Sequence, residues 1–274
     1  MHDTIGGEQS RGLEWVERTT FVSPSVWSSD FGFSTHPNDS FRLRQEMINK
    51  ALSLAQKGVL ITLSYHQCSV LMDEPCSFNQ GVLGTLSNVQ WEELLNPHSA
   101  LHQKWKEQIK KIGVYLQSLD KQEVTVYFRP YHEGNAPGFW WAGQASYYKR
   151  LWIMLHDYYV NELKLTNLKW VWSVSFHPLY WNDLQAYYPG DNFVDVIGAD
   201  AYPPKKDLSP PYKKIYLDLK KISSSKPLAL TEVSRLPHKD ELKNSSWFYV
   251  VPWGVNLLKR DNSIDEIQSW YRQD

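Results

Sequence analysis

Short apolar runs separated by amphipathic stretches set the rhythm of this chain. Val59–Ser64 (VLITLS), Val124–Phe128, Lys169–Ser173 (KWVWS), Phe193–Gly198 (FVDVIG), Pro227–Thr231 (PLALT) and Trp247–Val251 each read as short buried strands. Two weaker candidates precede them. One is Ile5–Gln9; the other is Thr19–Trp27, rich in β-branched and aromatic residues and ending in the loop SSDFG. Between the strands the spacing predicts helices. Leu43, Met47, Ala51 and Leu54 share one face of Phe41–Gln56, with Asp39 or Ser40 as cap and Gly58 as stop. Further helices are expected from about Ser99 through Trp105–Leu119, over Ala145–Asn161, Tyr212–Ile222 and Ile264–Tyr271, with a short one around Leu13 and Trp15. About eight strands alternating with helices over 274 residues predict an α/β fold, a (β/α)8 TIM barrel forming a single domain across residues 1–274. An open doubly wound sheet is the alternative, but no Gly-rich phosphate fingerprint follows the first strand.

Composition narrows the partners. A formal net charge of −1 offers no basis for binding nucleic acid or an anionic membrane. No apolar run approaches the roughly 18 residues of a membrane span. The opening MHDTIGGEQS lacks a basic region followed by an apolar one, so no signal peptide is visible. Thirteen Trp and sixteen Tyr are the informative excess, because many stand beside Gly, Pro, Asn or Asp, where loops are expected. Cys68 and Cys76 fall in the longest irregular stretch, Tyr65–Leu86; they can pair with each other but lack four-ligand metal spacing. The nine histidines show no HExxH or His-x-His pattern, so no metal or cofactor is expected. The lysine-rich runs at 104–111 and 205–221 read as solvated helix faces.

Candidate chemistry concentrates in Val124–Gly143, VTVYFRPYHEGNAPGFWWAG. A strand meets a proline, presents His132 beside Glu133, and runs into the aromatics Phe139, Trp140 and Trp141. Aromatic faces stack on sugar rings and a carboxyl group handles the proton of a glycosidic oxygen, so this pattern points to glycoside cleavage. In a barrel, such groups gather where strands end and the following loops begin. His66, Glu133, Asp200, Tyr202, Glu232 and Trp253 all fall at such positions. Glu133, in an aromatic loop, is expected to be neutral and act as acid. Glu232 is expected to stay ionised as nucleophile, its charge stabilised by the Tyr202 hydroxyl. Retention of configuration requires the two carboxyls to lie about 5–5.5 Å apart. Arg129 is a candidate partner for a buried carboxylate, and Trp27, His177, Tyr180 and Trp181 are candidates for outer sugar contacts.

These residues resemble a known family. RPYHE followed by FWWAG is similar to the acid/base signature of glycoside hydrolase family 26, retaining β-mannanases and relatives on a (β/α)8 barrel, and LTE and ADAY are similar to its nucleophile and Asp-x-Tyr segments. The likeness runs through most of the chain and is specific around Arg129–Gly143. It implies Glu133 as acid/base and Glu232 as nucleophile, with His132 and Tyr202 positioning them. His66, Asp200 and Trp253 become sugar contacts, with Trp140 a substrate contact in the aromatic loop. One position departs: Gly138 stands where the family's first loop Trp aligns, and Trp140 or a neighbouring loop is the expected replacement. The implied activity is endo-acting hydrolysis of β-1,4-mannan or related hemicellulose by a secreted or extracytoplasmic monomer. Mixed-linkage β-glucan, β-1,3-xylan and a non-catalytic carbohydrate-binding barrel are the alternatives.

Overall fold

The computed structural model describes residues 1, 3, 12–32, 40–204, 211–243 and 245–272. Among these, seven strands form one parallel sheet in chain order: β1 (Val26–Asp30), β2 (Leu60–Tyr65), β3 (Val126–Pro130), β4 (Leu168–Ser175), β5 (Val196–Ala201), β6 (Leu228–Val233) and β7 (Trp247–Pro252). β7 returns to β1, giving the nearly closed barrel that the alternation predicts. Met1 and Asp3 lie beside β1: Ser28 N–H donates to Met1 O (2.9 Å) and Asp3 N–H to Ser28 O (2.8 Å). The predicted strand Ile5–Gln9 and the predicted cap Asp39 lie outside the described residues.

Parallel neighbours need long crossovers, and helices supply them. α1 (Gly12–Thr20) precedes β1, and α2 (Ser40–Ala55) joins β1 to β2. α3 (Asn88–Leu94) and α4 (Ala100–Asp120) follow β2, and α5 (Ala145–Asp157), extended by a π-helical turn at Tyr158–Glu162, follows β3. α6 (Leu184–Tyr187), α7 (Tyr212–Ile222) and α8 (Lys239–Lys243) come next, and α9 (Val255–Asp261) and α10 (Ile264–Arg272) close the chain. α3 escapes the periodicity because it is short, yet Ser87 and Gln90 form a reciprocal capping box at its start.

The expected strand over Thr19–Trp27 is corrected. Its first two residues finish α1, and the strand begins only at Val26. The last carbonyls of α1 are satisfied from far along the chain: Gln268 Nε2 donates to Thr19 O (2.8 Å) and Arg272 Nε to Thr20 O (3.0 Å). Val16 packs in one cluster with Ile267 and Tyr271, so tertiary capping by α10 overrides the β preference of the threonines.

Strand pleating sorts the side chains into two layers. Val171, Val196, Ala229, Tyr249 and Val251 form a cluster inside the barrel, separate from the large core beneath the helices. The same inward parity continues upward to Arg129, Ser173, Asp200 and Thr231. Glu232 has the opposite parity, yet a bulge brings it inward. Ala199 pairs with Leu230 and Asp200 with Glu232, leaving Thr231 as an extra residue on β6. A one-residue slip turns a side chain to the other face, so this irregularity aims Glu232 into the barrel mouth beside Asp200.

Cys68 and Cys76 are disulfide-bonded, and their loop continues into an antiparallel contact with the aromatic loop. Leu83 pairs with Phe139, Gly84 N–H donates to Gly138 O (2.9 Å) and Trp140 N–H to Val82 O (3.2 Å). Replacing both cysteines by alanine is predicted to lower the unfolding free energy by about 2–3 kcal/mol, from the entropy of so short a closed loop. Urea titration without reductant measures it, and a change below about 0.5 kcal/mol would show that the surrounding contacts alone order the loop.

Candidate active site

β3 delivers the central turn. After Pro130 the chain passes through Tyr131 (φ 43°) and Glu133 (φ 55°), both in the left-handed region that non-glycine residues seldom occupy. Such a conformation costs of order 1–3 kcal/mol per residue and persists where the surroundings hold it. Glu133 N–H donates to Ser173 O (3.0 Å) on the next strand, fixing the start of the side chain. Burial, reinforced by the nearby Asp200 charge, pushes the Glu133 carboxyl up to about 8, with the Ser175 hydroxyl and Arg129 pulling the other way.

The charge below it is organised by Arg129. This buried guanidinium donates through Nη2 to Glu232 Oε1, and through Nη1 to Asp200 Oδ2 (3.0 Å) and Ser173 Oγ (3.2 Å). Asp200 also accepts from Ser173 Oγ (3.1 Å) and, at its other oxygen, from Thr231 Oγ1 (2.6 Å). Burial disfavours the Arg129 cation, but the two carboxylates outweigh it and raise its pKa above the ordinary arginine range. Glu232 accepts a second hydrogen bond at Oε2 from the Tyr202 hydroxyl, whose ring stands exposed at the rim. Burial, Asp200 and Glu133 push the Glu232 carboxyl up to about 8, as high as Glu133, against the downward pull of Arg129 and Tyr202. A charge on Glu133 raises the proton affinity of Glu232, so their titrations are linked, while the Arg129 and Tyr202 donors favour the charged form of Glu232.

The histidines complete one wall. His66 Nδ1 lies 2.7 Å from Asp30 Oδ2, and Asp30 also accepts from Ser64 Oγ (2.5 Å). Against the upward push of burial, His66 and Ser64 hold the Asp30 carboxyl well below the usual range. The rings of His66 and His132 meet edge to face at 4.3 Å, and His132 Nε2 is 4.0 Å from Glu232 Oε1. Trp253 lies 6.3 Å from the His66 ring and 5.5 Å from the Arg129 guanidinium carbon, over its own ring face. Sequence reasoning missed Asp30, although an acid at the C-terminal end of a barrel strand was its signal.

Three sequence expectations change. Trp140 does not line the mouth: it is buried, with Nε1 donating to Gln67 O (2.9 Å) and its ring against Trp91 and Tyr131. Phe139 takes the place facing the site, 4.9 Å from His132 and 5.6 Å from His66, and stacks on Trp141. Asp200 is not a sugar contact, since its side chain is fully buried and both oxygens are occupied by Arg129, Ser173 and Thr231. Trp27 is likewise buried, with Nε1 on Asp3 Oδ2 (2.8 Å), far from any outer subsite role. Glu133, Glu232, His66, His132, Tyr202 and Trp253 do converge. His177 and Tyr180 pair on the loop after β4, 5.2 Å apart, while Trp181 Nε1 donates to Asp218 (2.9 Å).

A buried glutamate and a half-buried one beside it, with aromatic rings around them at the C-terminal mouth of a parallel β/α barrel, define the class as a barrel glycoside hydrolase. Residues 8–267 match the profile of glycosyl hydrolase family 26, and the chain belongs to that family. It is 30% identical over 250 residues, 84% of its length, to mannan endo-1,4-beta-mannosidase A and B of Caldalkalibacillus mannanilyticus, of which the match covers 45%. A Bacillus subtilis mannan endo-1,4-beta-mannosidase is 31% identical over 79% of this chain and 59% of its own. The chain thus spans about half the length of these curated relatives. GH26A from a Muricauda species superposes with a TM-score of 0.89 at 28% identity, covering 100% of this chain and 89% of the other. A β-mannanase from a symbiotic protist of the termite Reticulitermes speratus, complexed with a gluco-manno-oligosaccharide, gives 0.84 at 26% identity, with 98% and 84% covered.

Arg129→Met is predicted to cost about 3–5 kcal/mol at pH 7, because it leaves two buried carboxyl groups without their cation. The loss should shrink by at least half at pH 4.5, where those carboxyls bind protons more readily. Urea titrations at the two pH values decide it. An equal loss at both would mean that Arg129 acts by packing against Trp253 and not by charge.

Proposed function

We propose that this chain is a catalytic barrel domain hydrolysing internal β-1,4 linkages of mannan or a related hemicellulose with retention of configuration. One observation carries the reading: of two glutamates at the same mouth, only Glu232 is gripped by Arg129 and the Tyr202 hydroxyl. Glu133, whose carboxyl burial pushes toward the neutral form and which lacks the Arg129 and Tyr202 hydrogen bonds of Glu232, delivers its proton to the departing glycosidic oxygen. Glu232, held still and anionic, attacks the anomeric carbon from the opposite side, forming a covalent glycosyl ester. Glu133, now a carboxylate, takes a proton from water as that water cleaves the ester. His132 and Tyr202 keep the nucleophile oriented, while His66 and Trp253 offer a polar edge and a ring face to the sugar at the mouth. The named activity of the curated relatives supports mannan as the polymer.

The disulfide supports an oxidising, extracytoplasmic setting. One feature favours testing other polymers. Gly138 has φ 144°, a backbone shape that L side chains rarely adopt, so the aligned family indole has no direct counterpart here.

Glu133→Ala and Glu232→Ala are each predicted to lower kcat on mannan by about 10²–10⁴-fold or more with the fold intact, as reducing-sugar release and circular dichroism report. Near wild-type turnover in either would remove that residue from the mechanism. A panel of mannan, mixed-linkage glucan and β-1,3-xylan identifies the polymer, and a fastest rate on glucan with inert mannan would replace the first choice. Since Glu133 donates only when protonated, kcat/KM is expected to fall as pH rises through about 8. A rate still climbing well above that pH would contradict Glu133 as the acid.

A further inference from the structure

The turn that carries Glu133 is held by its carbonyl oxygens. His132 O accepts from Trp141 Nε1 (2.8 Å), Glu133 O from Ala136 N–H (3.0 Å) and Gly134 O from Gly143 N–H (2.9 Å), all donors from the loop that follows. Tyr131 O is held from outside that loop, by the hydroxyl of Tyr148 on α5 (2.9 Å). The ring of the same tyrosine lies directly on Gly134: a Cβ there would sit 2.2 Å from Tyr148 Cε2 and 2.6 Å from Cζ. Only glycine admits the ring so close. Tyr148 therefore grips the turn on both sides of the His132–Glu133 pair, and it has no exposed surface with which to meet a substrate.

This grip falls where the backbone stores strain. Tyr131 and Glu133 both occupy the left-handed region, and a turn released from its neighbours would relax toward ordinary geometry. Tyr131 cannot relax alone, because its own hydroxyl is fixed between Trp105 Nε1 (2.8 Å) and Gln67 Oε1 (2.8 Å). The backbone of the turn is thus the part able to move, and Tyr148 is what α5 sets against it.

We propose that Tyr148 is a positioning residue for Glu133: its hydroxyl fixes the carbonyl before the acid/base turn and its ring closes on the glycine after it, aiming the carboxyl group and limiting its contact with water. The proposal rests on Glu133 acting as the acid. Misplacing a reacting group by an ångström costs up to about 100-fold, and the defect should be confined to the step that needs Glu133 as a proton donor.

The test is Tyr148→Phe in the full chain, which keeps the ring and removes the hydroxyl. On mannan, kcat should fall by about 10–100-fold with KM within about threefold. On a dinitrophenyl β-glycoside of the preferred sugar, whose leaving group departs without a proton, kcat/KM should stay within about threefold of wild type. The alkaline limb of kcat/KM on mannan should move down by about half a pH unit or more, because burial is the main cause of the raised Glu133 pKa and a loosened turn admits water. Equal losses on both substrates, or an unmoved limb with wild-type kcat, would overturn the proposal. Should Tyr148→Phe not fold, Gly134→Ala presses the turn off the ring from the other side and must give the same substrate-selective loss; an unselective loss there overturns it equally. Glu133→Ala separates the two claims. If it alone destroys mannan hydrolysis while Tyr148→Phe is normal, only the positioning role fails; if Glu133→Ala is active, the acid assignment itself fails.

Discussion

A guanidinium sealed inside a barrel is the constraint on which the site depends. Arg129 cannot give up its proton, and it is removed from water, so it must be surrounded by anions and by hydrogen-bond acceptors. Asp200 supplies one carboxyl partner below the mouth, and Glu232 supplies the other at its edge. Once Arg129 is fixed, the surroundings above it differ: Glu232 receives its hydrogen bond directly, while Glu133 feels it only through its charge, against burial and the Asp200 field. Two glutamates of identical chemistry stand in different surroundings because of where one arginine reaches.

The scaffold delivers this with local irregularities more than with regular structure. Strand parity alone would face Glu232 away from the mouth, and the extra residue Thr231 reverses it while adding a hydroxyl donor to Asp200. On the opposite wall, a strained turn does for Glu133 what the bulge does for Glu232. Regular strands bring the chain to the rim, and a bulge and a turn choose what points inward.

Much of the barrel was legible in the chain, for physical reasons. Strands covered on both faces leave short continuous apolar runs, and their alternation with amphipathic stretches leaves little room for another fold. Glu133, Glu232 and Tyr202 were readable because acids and a phenol next to glycine and aromatics are poor core residues. The failures have causes as definite. Trp140 and Phe139 are adjacent aromatics in a loop with no periodicity, so nothing in the pattern tells which one turns inward. Asp200 reads as a rim acid until the three donors that consume its oxygens are seen, and those come from β3, β4 and β6. The two threonines at the end of α1 look like strand residues because their partners lie at the far end of the chain.

Those distant partners have a consequence for biogenesis. Gln268 and Thr19 are 249 positions apart, yet the end of α1 takes donors for its last carbonyls from α10, and the two helices cover each other's apolar stripe. During translation α1 emerges early with its last turn unsatisfied and its hydrophobic face uncovered, and stays so until α10 leaves the ribosome. Sealing of the cylinder is therefore a late, long-range event, of the kind whose loop-closure entropy slows folding and prolongs exposure to chaperones.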